Sequence, residues 1–316
     1  MKRNELINKY GILIILILMI AIFGIANPSF FTWSNGISIL RQIAVLAIIT
    51  VGMSCVLIAG GIDLSVGAQL AFIGVTTATL CTKMSVPPML ACLLGVVLAT
   101  VIGIFNGIFI SNTHVPPLIA TLATQQILRG LAYIISEGQP LYGLQPSIQM
   151  IGQGYIGIIP IPIVIMVVCV GAGVFVLNKT YIGRSFYVIG SSEEVGRLSG
   201  IKTKLVTTIA YGICGMMAGI GAIIMMSRIN SGSPTVGNGY EMDVLTAAVL
   251  GGVSVSGGEG KLFGAMTGAL IIGVLSNGLI IMNVNEYSQM VIKGIVLALA
   301  VAFDSIRNGK IKLAAS

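Results

Sequence analysis

The sequence predicts an all-α polytopic membrane protein, and three observations carry that prediction. Hydrophobic residues make up 56% of the chain, charged residues 9%, and mean hydropathy is +1.01. Soluble domains carry roughly 25% charged residues, so this chain cannot cover its surface with polar groups in water. The apolar residues also fall in runs long enough to cross a bilayer, which takes about 20 helical residues. Finally, runs such as Gly11 to Ile20 show no polar/apolar alternation. That excludes a barrel, the other fold that satisfies its backbone in lipid.

A hydropathy window of about twenty residues marks about ten spans. The first covers about 10–26; Lys2 and Arg3 before it and Gly24-Ile25-Ala26 at its end resemble a secretory signal, but it is expected to remain as an uncleaved span. The second and third, 37–59 and 64–82, flank Gly60-Gly61-Ile62-Asp63-Leu64-Ser65-Val66-Gly67, a glycine-rich turn with a lone carboxylate. The fourth covers 87–110, and the fifth, 116–136, follows Pro116-Pro117 and holds Arg129. The sixth and seventh cover 160–177 and 205–227. The eighth, 242–256, is short and glycine-interrupted, and 262–283 and 288–304 complete the set. Without the fifth and eighth there would be eight spans; either number is even, so both termini lie on one side. One transmembrane domain, 1–316, is expected.

Basic residues orient the chain. A cytoplasmic N-terminus places Lys2, Arg3, Lys9, the basic residues of 178–204, Lys261, Arg307, Lys310 and Lys312 inside. The net charge of +7 and pI near 9.2 are therefore a topology signal. Nucleic-acid binding is not expected, since no basic residues cluster with exposed aromatics. Cys55, Cys81, Cys92, Cys169 and Cys214 all sit in apolar stretches without a CxxC pair, as reduced core residues rather than disulfides or metal ligands.

Three connections are long enough to have their own role. Those at 137–159 and 229–241 fall outside in this topology; the third, 178–204, is cytoplasmic. Ser191 or Ser192 can cap a short amphipathic helix there, with Glu193 and Glu194 in its first turn, Arg197 four residues after Glu193, and Gly200 as terminator. Leu198 and Ile201 supply an apolar contact. A solvated connector is the plainer reading.

Three motifs together resemble one family. They are Gly60 to Gly67, the segment Gly183-Arg184 through Gly190, Glu193-Glu194 and Arg197-Leu198-Ser199-Gly200-Ile201, and Val249-Leu250-Gly251-Gly252 followed by Gly257-Gly258-Glu259-Gly260. Asn277-Gly278-Leu279 and Tyr287 to Gly294 are similar too. In this order and spacing they resemble the membrane permease subunits of ABC importers for ribose, xylose, galactosides and related sugars, over about residues 40–305. The resemblance implies a separate ATPase subunit, an extracytoplasmic sugar-binding protein, a second permease copy and an inner-membrane location. It also implies that Gly183, Arg184, Gly190, Glu193, Glu194, Arg197, Leu198, Gly200 and Ile201 couple to the ATPase. The chain departs from the family pattern at Ser192, where asparagine is usual, and at Val195-Gly196, where two alanines are usual. Gly196 costs the helix about 1 kcal/mol relative to alanine.

Other motifs fail on context. Gly152 to Gly157 fits GxGxxG, yet no strand precedes it and Pro160 and Pro162 follow where a helix should open. Val255 and Leu262 spoil a phosphate loop around Gly260-Lys261, so the energy must come from a partner. His114 is the only histidine and is expected as a loop residue at a span end; no catalytic triad, metal or cofactor site is expected. Gly103/Gly107, Gly215/Gly219 and Gly264/Gly268 have GxxxG spacing, which lets helix backbones approach.

Arg129 lies deep in its span near Gln125 and Gln126, which suits a cavity that a sugar crosses. It equally suits a residue that snorkels or pairs with Asp63 or Asp243. Asp63 and Ser65 belong either to the pathway or to a structural motif, and Arg41 and Lys293 are expected to snorkel. A secondary transporter would need an intramembrane acid, and Glu241, Asp243 and the other acids are expected near span ends. The reading is a permease for a small sugar, driven by a separate ATPase. A permease for branched-chain amino acids or another small solute is the nearer alternative and an ion-coupled secondary transporter the further one.

Overall fold

The computed structural model describes residues 3–113 and 115–307. His114 lies outside the described residues. The described residues fold as thirteen α-helices and one two-stranded hairpin, besides a 3-10 turn at Pro28–Phe31. They are α1 (Arg3–Ala26), α2 (Trp33–Ile58), α3 (Val66–Thr82), α4 (Pro88–Thr113), α5 (Pro117–Ser136), α6 (Pro146–Gln153), β1 (Tyr155–Ile156), β2 (Ile159–Pro160), α7 (Ile161–Lys179), α8 (Tyr181–Ser191), α9 (Glu193–Leu198), α10 (Thr203–Ile229), α11 (Tyr240–Leu250), α12 (Leu262–Ile281) and α13 (Glu286–Arg307). Among the described residues, six helices are long and apolar enough to cross a membrane: α2, α4, α5, α7, α10 and α12.

Burial separates centre from rim. The apolar stretches of α2 and α10 are 78% buried, whereas those of α5 and α7 are 22% buried. α10 packs against α4, α2 and α3, and α2 also meets α7, α11 and α12. All three GxxxG pairs serve this packing. A methyl on Gly103 or Gly215 would strike the backbone of the facing helix, α10 or α4, and one on Gly268 would strike the Ala247 carbonyl of α11.

Two connections are more ordered than the sequence suggests. The 137–159 stretch contains α6 and a hairpin in which Tyr155 pairs with Pro160 and Ile156 with Ile159 around Gly157. Within 178–204 there are two helices rather than one, because Thr180 already caps a first helix by accepting from the Gly183 amide at 3.1 Å. The eighth expected span is also shorter than 242–256. α11 stops at Leu250, where Gly252 takes φ +87°, and its eleven residues rise only about 16 Å, half of a ~30 Å hydrocarbon core.

Candidate functional site: a glycine joint, a buried hydrogen-bond chain and a mid-height polar face

The coupling segment turns a corner at Ser192. The Ser192 hydroxyl accepts from the Val195 amide at 3.3 Å, Glu193 and Glu194 occupy the first turn of α9, and Gly200 closes the helix at φ +79°. Gly196 is buried, and a methyl there would sit 3.1 Å from Ile189. The glycine thus brings α9 close to α8, a role that offsets its poor helix propensity. On the outer side Leu198 is 78% exposed and Val195 54%, an apolar pair one turn apart with no intrachain cover. Glu193, Glu194, Arg197 and Gly200 are exposed beside it, and Gly183, at the start of α8, packs on the α7 backbone at Leu177.

Gly190, near the end of α8, is where the sequence's glycine motifs meet. A methyl on Gly190 would collide with the Ile58 carbonyl and lie 2.6 Å from the Gly258 nitrogen. One on Gly257, itself at φ +83°, would lie 2.7 Å from the Gly190 oxygen and 2.8 Å from the Gly60 Cα. The Gly258 amide donates to the Ile58 carbonyl at 2.9 Å, and the Tyr187 hydroxyl donates to the Gly260 carbonyl at 3.0 Å. Burial pushes the Tyr187 phenol up from its ordinary pKa. So α8, the α2–α3 turn and the α11–α12 turn touch backbone to backbone. Glycine is required because no side chain fits between them.

Asp63 and Ser65 sit in the turn between α2 and α3. Cys214 lies beside Asp63, eleven residues into α10 and so about 16 Å along it. Among the described residues the carboxylate forms no ion pair. Its Oδ1 accepts from the Ser65 amide at 2.9 Å and the Ser65 hydroxyl at 2.6 Å. The Ser65 hydroxyl in turn accepts from Gln69 at 3.0 Å and Asn106 at 3.2 Å, and Thr124 donates to Asn106 at 2.7 Å. This chain ties the start of α3 to α4 and α5. Asp63, Ser65 and Gln69 are fully buried. Tyr211 and Thr121 both donate to the Ile62 carbonyl, at 3.1 and 3.3 Å.

Halfway up the bundle, polar side chains of α5 meet the 234–241 stretch. Arg129 meets neither Asp63 nor Asp243; its guanidinium donates to the carbonyls of Pro234 and Val236, both at 2.8 Å. Gln125 donates to Glu241 at 3.1 Å, and Glu241 is 7% exposed rather than at a span end. Its other oxygen lies against Gly67, where a Cβ would collide with it. Gln126, one residue on, is exposed. Lys293 does not snorkel: it pairs with Asp243 at 2.7 Å, holding α13 against α11. Arg41 donates to the Gln153 carbonyl at 2.6 Å and lies 4.8 Å from the Tyr155 ring centre.

Sequence reasoning missed Asn106, Gln69 and Glu241. Asn106 carried a signal, a lone amide deep in an otherwise apolar helix, which in lipid demands a partner. Among the described residues, no group of three or more His, Cys, Asp or Glu is placed to hold a metal.

The family model described as the permease component of branched-chain amino acid transport systems matches residues 35–301. The chain belongs to that family. It is 40% identical to the ribose import permease protein RbsC of Bacillus subtilis over 95% of this chain and 94% of the relative. It is 34% identical to the D-allose transport system permease protein AlsC of Escherichia coli, over 95% and 92%. The L-arabinose transport system permease protein AraH of the same organism is 35% identical, again over 95% and 92%. No solved structure matches the chain. The resemblance to sugar-importer permeases read from the motifs is borne out, and the chain is a multi-pass permease component.

Proposed function

We propose that this chain forms the inner-membrane pathway by which a small sugar, D-ribose first among the candidates, enters the cell, delivered by an extracytoplasmic binding protein and driven by a separate ATPase. The observation that carries the reading is the 40% identity to a ribose import permease across 95% of the chain. The uncovered Val195–Leu198 pair on α9 supports it, since an exposed apolar pair on a short polar helix suits a protein partner. The α8–α9 end is cytoplasmic in this reading. The chain then crosses ten times, the eighth crossing being made of the irregular segment 230–239 and α11, so both termini are cytoplasmic. Two copies assemble about the pathway.

In proteoliposomes holding the permease, its ATPase and the binding protein, D-ribose uptake is expected to require internal ATP and to survive a protonophore. Uptake by this chain alone along an ion gradient would overturn the proposal in favour of a secondary transporter. ATP-driven uptake of leucine with none of ribose would favour the branched-chain amino acid reading.

A further inference from the structure

The segment 230–239 has irregular backbone between α10 and α11, and its height in the bundle is fixed by what it touches. Arg129 and Gln125 stand near the middle of α5, a 20-residue span. Arg129 holds the carbonyls of Pro234 and Val236, and Gln125 holds Glu241 just beyond. On its inner side the segment is laid along α3. A methyl on Gly232 would lie 2.6 Å from Ala78, and one on Gly237 2.9 Å from Leu70. The chain therefore descends roughly 16 Å along α3 between the levels of Ala78 and Gly67. Its outer side is open: Thr235, Asn238 and Gly239 are exposed, and Gln125 and Arg129 are half-exposed.

Irregular backbone at this depth cannot face lipid, which leaves its peptide groups unsatisfied; it must line water or protein. The exposed side of α4 looks different, presenting Leu93, Val97, Val101 and Phe105, an apolar stripe suited to lipid. We infer that Thr235 and Asn238, with Gln125 and Arg129, line the aqueous pathway and contact the hydroxyls of the transported sugar. Amide, hydroxyl and guanidinium groups offer the mixed donors and acceptors that an uncharged polyol needs, while the carboxylate of Glu241 is turned inward onto Gln125 and Gly67. The inference rests on the permease reading and names its substrate-contacting surface.

The five native cysteines are buried, so an introduced thiol reports against a quiet background. In proteoliposomes with the ATPase and binding protein, Asn238→Cys is expected to react with a charged, membrane-impermeant thiosulfonate at least about tenfold faster than Val101→Cys, because a lipid-embedded thiol lacks its reactive thiolate. D-ribose with binding protein and ATP should slow that labelling. Asn238→Ala should raise KM for ribose and leave ATPase co-purification unchanged. Labelling no faster than at Val101→Cys, or a rate and KM indifferent to the sugar, overturns the inference; Thr235→Cys is the second position should Asn238→Cys not accumulate. Ribose uptake by the unmutated complex in the same liposomes tests the permease reading separately.

Discussion

The joint at the end of α8 and the polar face midway along α3 are both built on glycine, for opposite ends. At Gly190, Gly257 and Gly258 three backbones meet with no side chain between them, so a displacement of α8 is passed on by contact rather than absorbed by rotamers. At Gly232 and Gly237 glycine lets one side of an irregular segment lie on α3 while the other side stays open and polar. On the proposed function the first region would transmit force and the second would be solvated. Lesions at the two should therefore separate coupling from substrate handling.

The sharpest break of that contrast is Gly190→Val. Its side chain would enter the Ile58 carbonyl, forcing α8 and α2 apart at a cost of about 1–3 kcal/mol or more. Uptake should fall to background, whereas Gly171→Ala on α7, with nothing within 4 Å of the added methyl, should leave uptake unchanged. Normal uptake by Gly190→Val would show that the joint does not constrain transport. Next comes Asp63→Ala, which strips the acceptor from the Ser65 amide and hydroxyl at about 1–3 kcal/mol. Thermal denaturation in detergent should show that loss, and Asp63→Asn, which keeps an oxygen there, should lose less. Equal losses from both variants would mean that the charge matters rather than the acceptor. The smallest effect belongs to the double change Lys293→Met with Asp243→Leu, because replacing both partners of a pair only 26% and 14% exposed by apolar groups is close to neutral. Thermal denaturation in detergent should show Lys293→Met alone costing more than the double variant, since it strands the Asp243 carboxylate.

Much of the helical framework was legible because lipid imposes it: a continuous apolar run such as 37–59 admits one structure in a bilayer, and α2 lies there. A cap at Ser191 or Ser192 and the Gly200 stop were equally legible, being local chemistry within a single turn, and Ser192 is the one that caps. What escaped depends on contacts far apart in sequence. Glu241 reads as an acid at a span end until the 230–239 segment is seen to descend along α3, a path set by Arg129 and by the glycines that let the backbones touch. Gly251-Gly252 looked like an interruption within a span, yet it ends α11 because the backbone turns there. The three glycine motifs were visible one by one, but nothing in their spacing says that they meet at Gly190.

The coupling claim is tested most directly by the amount of ATPase that co-purifies with Leu198→Asp, at equal quantities of permease in the membrane. A carboxylate in place of an apolar contact costs several kcal/mol where the contact is dry, so association and substrate-stimulated ATP hydrolysis should both drop severely, while Lys202→Ala, just past the Gly200 stop, retains both. Wild-type association and stimulated hydrolysis by Leu198→Asp would mean that α9 is a solvated connector and that the ATPase is engaged elsewhere.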